Sequence, residues 1–394
     1  MSNIFRNPIA EEMWDKKYRL KEYDGTPIDL TVQDTWTRIS KTLAAPEDDP
    51  AYWGAKFYEA LESFKFIPAG RINAGAGAEG RNVTLFNCFV MSTVEDSLVG
   101  IYDALKEAVI TMQQGGGIGY DFSTLRPQGA EVKGVASDSS GPLSFMDVWD
   151  SSCKTIMSAG VRRGAMMATM RCDHPDVEKF IEAKRDPARL RMFNMSVLVT
   201  DKFMDAVKED KQFDLVFDGK VYKTIRAKSL WDKIMSSTYH YAEPGVIFID
   251  RINEMNNLNY VETIAATNPC GEQPLPPYGA CLLGSINLVS MLDDRYGLDM
   301  RKVEETVRVA VRMMDNVIDV SNFPLPEQKE EALNKRRIGL GVTGVADAMA
   351  LGGVVYGSKE SEDWIEGVLK HIAVSAYKTS VGLAKEKGSF PLFD

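Results

Sequence analysis

An α/β fold with a largely parallel sheet is what the sequence predicts, and three observations predict it. Short strand-like apolar runs recur at 85–91, 118–122, 165–170, 195–200, 245–250 and 282–288. Helix-periodic segments separate most of them, which is the kind of crossover that parallel neighbours require. One stretch breaks the alternation: Asn268-Pro269-Cys270-Gly271-Glu272-Gln273-Pro274-Leu275-Pro276-Pro277-Tyr278-Gly279-Ala280-Cys281. Its four prolines remove backbone donors and fix φ, so it reads as a stiff, non-helical loop carrying a thiol, a carboxylate and an amide within five residues and a second thiol eleven positions after the first. Loops held by a scaffold commonly carry function.

The elements follow in order. Residues 1–70 read as a helical region, with Tyr52, Trp53, Phe57 and Leu61 at helix-like spacing and Pro68 and Gly70 as stops. A Gly/Ala/Asn-rich stretch, 70–82, leads to the strand that contains Cys88. Thr93 and Asp96 suit a helix start, and Leu98, Ile101, Leu105, Ala108, Val109 and Met112 continue the helix to Gly115. After the strand 118–122 come a polar loop, 126–141, and a helix over 143–157. The basic turn Gly160-Val161-Arg162-Arg163-Gly164 precedes the strand 165–170. Helices are expected at 175–183, 201–209 and 229–241, and two long ones, 301–320 and 359–386, end the chain.

Composition narrows the function. The 394 residues are 44% apolar and 26% charged, as in an ordinary globular protein. A net charge of −10 argues against a general nucleic-acid binder, because that affinity rests on Lys and Arg neutralising phosphates. Met1–Leu20 has no apolar core of a signal peptide, and no apolar run approaches the roughly 18 residues of a membrane helix. Cysteines at 88, 153, 172, 270 and 281 show no paired short spacing, so a cytoplasmic protein is expected. Three histidines and no CxxC argue against a structural zinc site.

Cys153, in a helical pattern, and Cys172, at a strand end, read as small buried hydrophobes. Cys270 stands apart. Asn268 and Glu272 flank it at two residues on either side, and extended backbone would aim all three the same way, as amide, sulfur and general base. Gly115-Gly116-Gly117-Ile118-Gly119 follows a helix and precedes a strand, the reverse of a dinucleotide fingerprint, and reads as a tight turn with close backbone approach to a ligand as a second use. Arg162 and Arg163 read as a solvated turn whose flanking glycines would also let it fold over an anionic ligand. No histidine is marked as the partner of a nucleophilic thiol.

Asn268-Pro269-Cys270-Gly271-Glu272, the eleven-residue step to Cys281 and the following Leu283-Gly284-Ser285-Ile286-Asn287-Leu288 resemble the catalytic loop of ribonucleotide reductases, the spacing being that of the adenosylcobalamin-dependent class II. Phe86-Asn87-Cys88-Phe89-Val90 and Gly115–Phe122 resemble the family's first two barrel strands. The resemblance implies a ten-stranded α/β barrel with a central finger loop, whose first part, finger loop and following strand and helices would be 71–394. It implies Cys270 as the thiyl radical that takes hydrogen from the ribose 3′ carbon, Glu272 as the base for the 3′-hydroxyl and Asn268 as its hydrogen-bonding partner. Cys88 and Cys281 would be the reducing dithiol, and Asn87, Gly116, Gly117, Pro269 and Gly271 would join them around the substrate. Adenosylcobalamin would supply the initiating radical.

By the same resemblance, Asp96, Ser97, Leu98 and Arg126 match a deoxynucleoside triphosphate effector site, and Arg162 and Arg163 the loop that relays its state. By the same resemblance no activity-regulating ATP cone is expected in 1–70, and the later half of the barrel, with its diphosphate loop and C-terminal cysteine pair, is expected to lie outside these 394 residues. A half-barrel exposes a sheet edge and an apolar face, so a second polypeptide or a longer product is expected to complete it. A thioredoxin-like dithiol protein and a second copy of the chain are further expected partners. Two alternatives stand beside this reading: a di-iron or other metal-subunit-dependent reductase, and an inactive allosteric or scaffold half.

Overall fold

A computed structural model describes residues 4–5, 7–132, 137–158, 162–163 and 165–393, leaving the side chains of 157–158 and 162–163 outside that description. The chain forms two compact units, one of Cys88–Ala280 with Pro324–Gln328, the other of Met1–Asn87 with Cys281–Phe323 and Lys329–Asp394.

The first unit is built on five parallel strands, Cys88–Val90, Gly117–Asp121, Met166–Arg171, Phe193–Val199 and Gly245–Phe248, each paired with the one before it in the chain. Helices Leu98–Gln113, Pro142–Thr155, Val177–Glu182 and Ala227–Tyr241 lie among the crossovers. Ser97 starts the first by accepting the Gly100 N–H, one residue past the expected Asp96, and Ile101, Ala104, Ala108 and Met112 bury one face. Residues 166–170 are buried without alternation, because helices and the finger described below cover both faces of this sheet. Trp149 stacks edge-on against Tyr120 and Phe122 at 5.8 and 5.7 Å in the core. Past Cys88–Val90, the Val90 N–H donates to Gly279 O at 2.8 Å. An antiparallel hairpin, Gln212–Phe217 with Lys220–Arg226, adds an element absent from the expectation; Asp218-Gly219, both at positive φ, make its turn.

The second unit combines helices Pro8–Lys17, Val32–Ala44, Pro50–Leu61, Met300–Val320 and Lys359–Lys387 with three strands. Phe66–Pro68 pairs antiparallel with Leu283–Asn287, which pairs parallel with Gly339–Thr343. Thr31 and Asp34 close a capping box on Val32–Ala44. The helical expectation for 66–68 fails because Leu283–Asn287 offers an edge, and Gly284 leaves room for the Phe66 ring, which a Cβ there would meet at 2.3 Å. Helices Pro326–Lys335 and Val345–Leu351 and the strand Gly339–Thr343 lie where no element was expected; the strand's glycines have weak strand preference, and pairing decides it. Among the described residues no helix is long and apolar enough to cross a membrane.

Candidate active site: a thiol-bearing hairpin

The proline-rich stretch is a β-hairpin. Ala266–Thr267 pairs antiparallel with Pro274–Leu275, and the Asn268 N–H donates to Gln273 O at 3.2 Å. The Gly271 N–H donates back to Asn268 O at 3.0 Å, and Gly271 takes a φ of +85°, a left-handed conformation that a Cβ would strain. Pro269 pre-sets the turn. This corrects the extended reading of the loop: because Pro269 and Gly271 fold 268–271 into a turn, Asn268, Cys270 and Glu272 do not share a face by strand alternation.

The hairpin instead sorts these residues by depth. Asn268 is fully buried at its root, and Cys270 and Glu272 are exposed at its tip. The Asn268 Oδ1 accepts the Gln273 N–H at 3.0 Å, whereas its Nδ2 is buried with no hydrogen-bond partner among the described residues. An unmet buried donor costs about 1–3 kcal/mol, which a ligand acceptor would offset.

The sheet seats the hairpin through absent side chains and two hydrogen bonds. A Cβ on Gly119 would stand 1.8 Å from Thr267 O, and one on Gly117 would stand 2.9 Å from Pro269 Cγ. The glycine run therefore does serve close backbone approach, with the hairpin as the thing approached. Gly116 faces the Phe89 ring and Thr111, 2.8 and 3.0 Å from where its Cβ would be. The Thr169 hydroxyl, fully buried, lies 3.1 Å from Ala265 O, and Asn194 Nδ2 donates to Pro269 O at 2.6 Å, one residue before Cys270.

Half-buried Cys88 lies in register with Gly117, its Sγ 3.5 Å from the Gly117 Cβ position that Pro269 also borders. In the second unit, buried Cys281 offers its carbonyl to the Asn87 N–H at 3.2 Å, and the Asn87 Oδ1 is buried without a hydrogen bond among the described residues. Burial pushes the Cys153 and Cys172 thiols up to about 11, which keeps them protonated and inert.

Of the effector candidates, Asp96 and Arg126 come together: Arg126 Nε donates to Asp96 Oδ2 at 2.8 Å, and the Arg126 N–H to Oδ1 at 3.1 Å. Ser97 is spent on capping its helix, and Leu98 is exposed. Arg162–Arg163 forms a short strand against Met157–Ser158; the two arginine side chains, Gly160, Val161 and Gly164 lie outside the described residues.

Sequence reasoning missed four groups. Thr169 and Asn194 anchor the hairpin, Asp121 ends the strand beneath it, and His174 is buried with both ring nitrogens engaged. Burial pushes the Asp121 carboxyl up to about 6, against hydrogen bonds from the Ser123 hydroxyl and N–H. A threonine inside the apolar run Met166–Met170 was the one legible hint, since a buried hydroxyl needs a partner.

A parallel sheet whose glycine strand seats a thiol-tipped hairpin defines a barrel-type α/β protein. Residues 86–394 match the barrel domain of ribonucleotide reductase and residues 4–81 its all-alpha domain. The chain belongs to the ribonucleotide reductase family. It is 39% identical over 386 residues to the vitamin B12-dependent ribonucleoside-diphosphate reductase of Mycobacterium tuberculosis, covering 96% of this chain and 55% of that protein. The Thermoplasma acidophilum protein of the same description is 36% identical, over 98% of this chain and 50% of its own length. The Chlamydia muridarum ribonucleoside-diphosphate reductase subunit alpha is 30% identical over 93% of this chain and 38% of that protein. The chain spans about half the length of the first two relatives.

Proposed function

We propose that this chain carries the catalytic loop of an enzyme that reduces ribonucleoside diphosphates to 2′-deoxyribonucleotides by thiyl-radical chemistry. The observation that carries the reading is the hairpin itself: a buried Asn268 with an unmet amide donor at the root of a turn that presents Cys270 and Glu272. Cys270 removes the ribose 3′ hydrogen, Glu272 takes the 3′-hydroxyl proton, and Asn268 Nδ2 donates to a ribose hydroxyl. Asn87, Gly116, Gly117, Pro269 and Gly271 complete the substrate contacts. Cys88 and Cys281 supply two electrons and become a disulfide while the 2′-hydroxyl leaves as water. A dithiol protein of thioredoxin type then restores them.

Higher identity to the B12-dependent relatives than to the subunit-alpha relative favours adenosylcobalamin over a metallo-subunit as the radical source. That cofactor, when bound, supplies the initiating radical. An exposed thiol at a hairpin tip fits this role, because a radical generator outside the hairpin can reach the sulfur. During turnover the sulfur also needs cover. Among the described residues, Gly339–Thr343 and Gly245–Phe248 each pair on one side only, and further polypeptide completing the barrel would occupy such edges. Asp96, Ser97, Leu98 and Arg126 bind a deoxynucleoside triphosphate effector, with Arg162 and Arg163 relaying its state. The division into a helical region, 1–70, and a barrel part, 71–394, and a cytoplasmic setting belong to the same proposal.

The test is anaerobic assay of the protein, together with the polypeptide that completes its barrel, with adenosylcobalamin, CDP and a dithiol. Deoxycytidine diphosphate is expected from the wild type and none from Cys270→Ala; turnover by Cys270→Ala overturns the proposal.

A further inference from the structure

Arg126 sits in the segment that leaves the strand Gly117–Asp121, and a second segment, leaving the neighbouring strand Met166–Arg171, grips it on both sides. His174 is 2% exposed. Its Nδ1 faces the Asp176 N–H at 3.0 Å. A backbone N–H can only donate, so Nδ1 accepts, the ring proton is on Nε2, and Nε2–H donates to Leu125 O at 2.9 Å. The ring thus holds the residue before Arg126 in a neutral tautomer fixed by its own chain. Phe217 covers it edge-on at 5.8 Å.

Asp176 holds the other side. It is 3% exposed, and its Oδ2 accepts the Gln128 N–H at 2.7 Å. Lys179 bridges its Oδ1 to Gln128 Oε1 at 2.8 and 2.7 Å. Gly141, at φ +80°, makes room, since a Cβ there would stand 2.9 Å from both Asp176 Oδ2 and Gln128 N. Between the two grips, Arg126 makes four hydrogen bonds: two to the Asp96 carboxylate, one to Asp96 O and one to Glu131 O.

We propose that His174 and Asp176 are positioning residues for Arg126, a clamp that holds its guanidinium in the orientation in which the effector triphosphate is bound. The inference rests on the effector reading given above and deepens it. Neither residue touches the ligand. Each holds backbone, so the clamp acts on affinity only through Arg126. It also ties the Arg126 segment to the segment that follows the strand Met166–Arg171.

The experiment titrates dTTP and dGTP by calorimetry into the wild type, Arg126→Ala, His174→Ala, the double variant and His174→Gln, whose amide can donate to Leu125 O in place of Nε2–H. Expected are about tenfold weaker binding in His174→Ala, recovery to within about threefold in His174→Gln, and a double variant no weaker than Arg126→Ala. Additive losses, or wild-type affinity in His174→Ala, overturn the clamp while leaving the effector site standing. Absence of triphosphate binding in the wild type overturns the effector reading, and the clamp's role with it. If His174→Ala does not fold, Asp176→Ala, which removes the acceptor of the Gln128 N–H, takes its place in the cycle, with the same non-additivity expected and additivity again overturning the proposal.

Discussion

Two asparagines, both fully buried, show how differently two places in the molecule treat a polar group. Asn316, in the helical unit, is saturated: its Nδ2 donates to Leu43 O and Glu47 Oε1, each at 2.8 Å, and its Oδ1 accepts from Lys387 at 3.0 Å. Glu47 in turn takes Arg312 at 2.7 Å and Lys387 at 2.9 Å. Asn268, in the hairpin, satisfies its carbonyl and leaves its amide donor unmet. A complete network holds helices together; an incomplete one at the root of the hairpin leaves a donor for the ligand proposed above.

Removing the two side chains should therefore have opposite consequences. Asn316→Ala leaves the buried Leu43 carbonyl unpaired and takes one donor from Glu47 and one acceptor from Lys387, and is expected to lower stability by about 2–3 kcal/mol in urea unfolding. Asn268→Ala gives up one accepted hydrogen bond and sheds an unsatisfied donor, so about 1 kcal/mol or less is expected. Its effect falls on function, with ribonucleotide reduction reduced at least about a hundredfold, the scale of a lost active-site donor. Equal stability losses in the two variants would break the contrast.

Seating of the hairpin gives the next effect in size. Gly119→Ala forces Thr267 O away from 1.8 Å, and overpacking against backbone is expected to cost about 2–3 kcal/mol. Because Cys270 rides on the displaced turn, its alkylation rate by iodoacetamide should change along with stability. An unchanged rate would show that Gly117, Thr169 and Asn194 suffice to seat the tip.

One carboxylate from each unit, Asp121 and Glu47, responds to pH with opposite sign. Asp121 has its folded pKa raised from 3.8 to about 6, chiefly by burial, so the native state holds a proton that the unfolded chain has lost. Its contribution is present below about pH 4 and is lost as pH rises to about 6. Glu47 is the reverse: although burial opposes it, hydrogen bonds from Lys387 and Asn316 hold its carboxyl below 4.5, and its contribution is lost as pH falls through that lowered value. Asp121→Asn should raise stability at pH 7, read from the urea midpoint, by up to about 3 kcal/mol and leave it unchanged at pH 4. A gain at both pH values would assign the effect to packing.

Much of the parallel sheet was legible, because each of its strands is a short apolar run bounded by helix signals. The hairpin was legible as stiff and reactive, since four prolines and Gly271 advertise a turn, yet its sorting of Asn268 from Cys270 and Glu272 was not. That sorting depends on Gly117 and Gly119, some 150 residues earlier in the chain, letting it sink onto the sheet. Gly339–Thr343 escaped notice because its pairing partner, not its own residues, makes it a strand. Asp218-Gly219 was a readable hairpin signal that the charged flanks obscured. The clamp at His174 had no local signature at all, since its partner Leu125 is fixed only by strand pairing.

Glycine supplies the smallest and sharpest form of the contrast. Gly119 is required because another segment's backbone lies where its Cβ would be. Gly382, inside the helix Lys359–Lys387, has nothing within 4 Å of that position and ordinary helical backbone. A methyl group there meets no neighbour, while the unfolded chain loses conformational freedom and the helix gains a better former. Gly382→Ala is therefore expected to raise stability by about 0.5–1 kcal/mol, read as a higher urea midpoint with an unchanged slope. A loss of stability would show that this position, like Gly119, does not tolerate a methyl group, and would break the contrast.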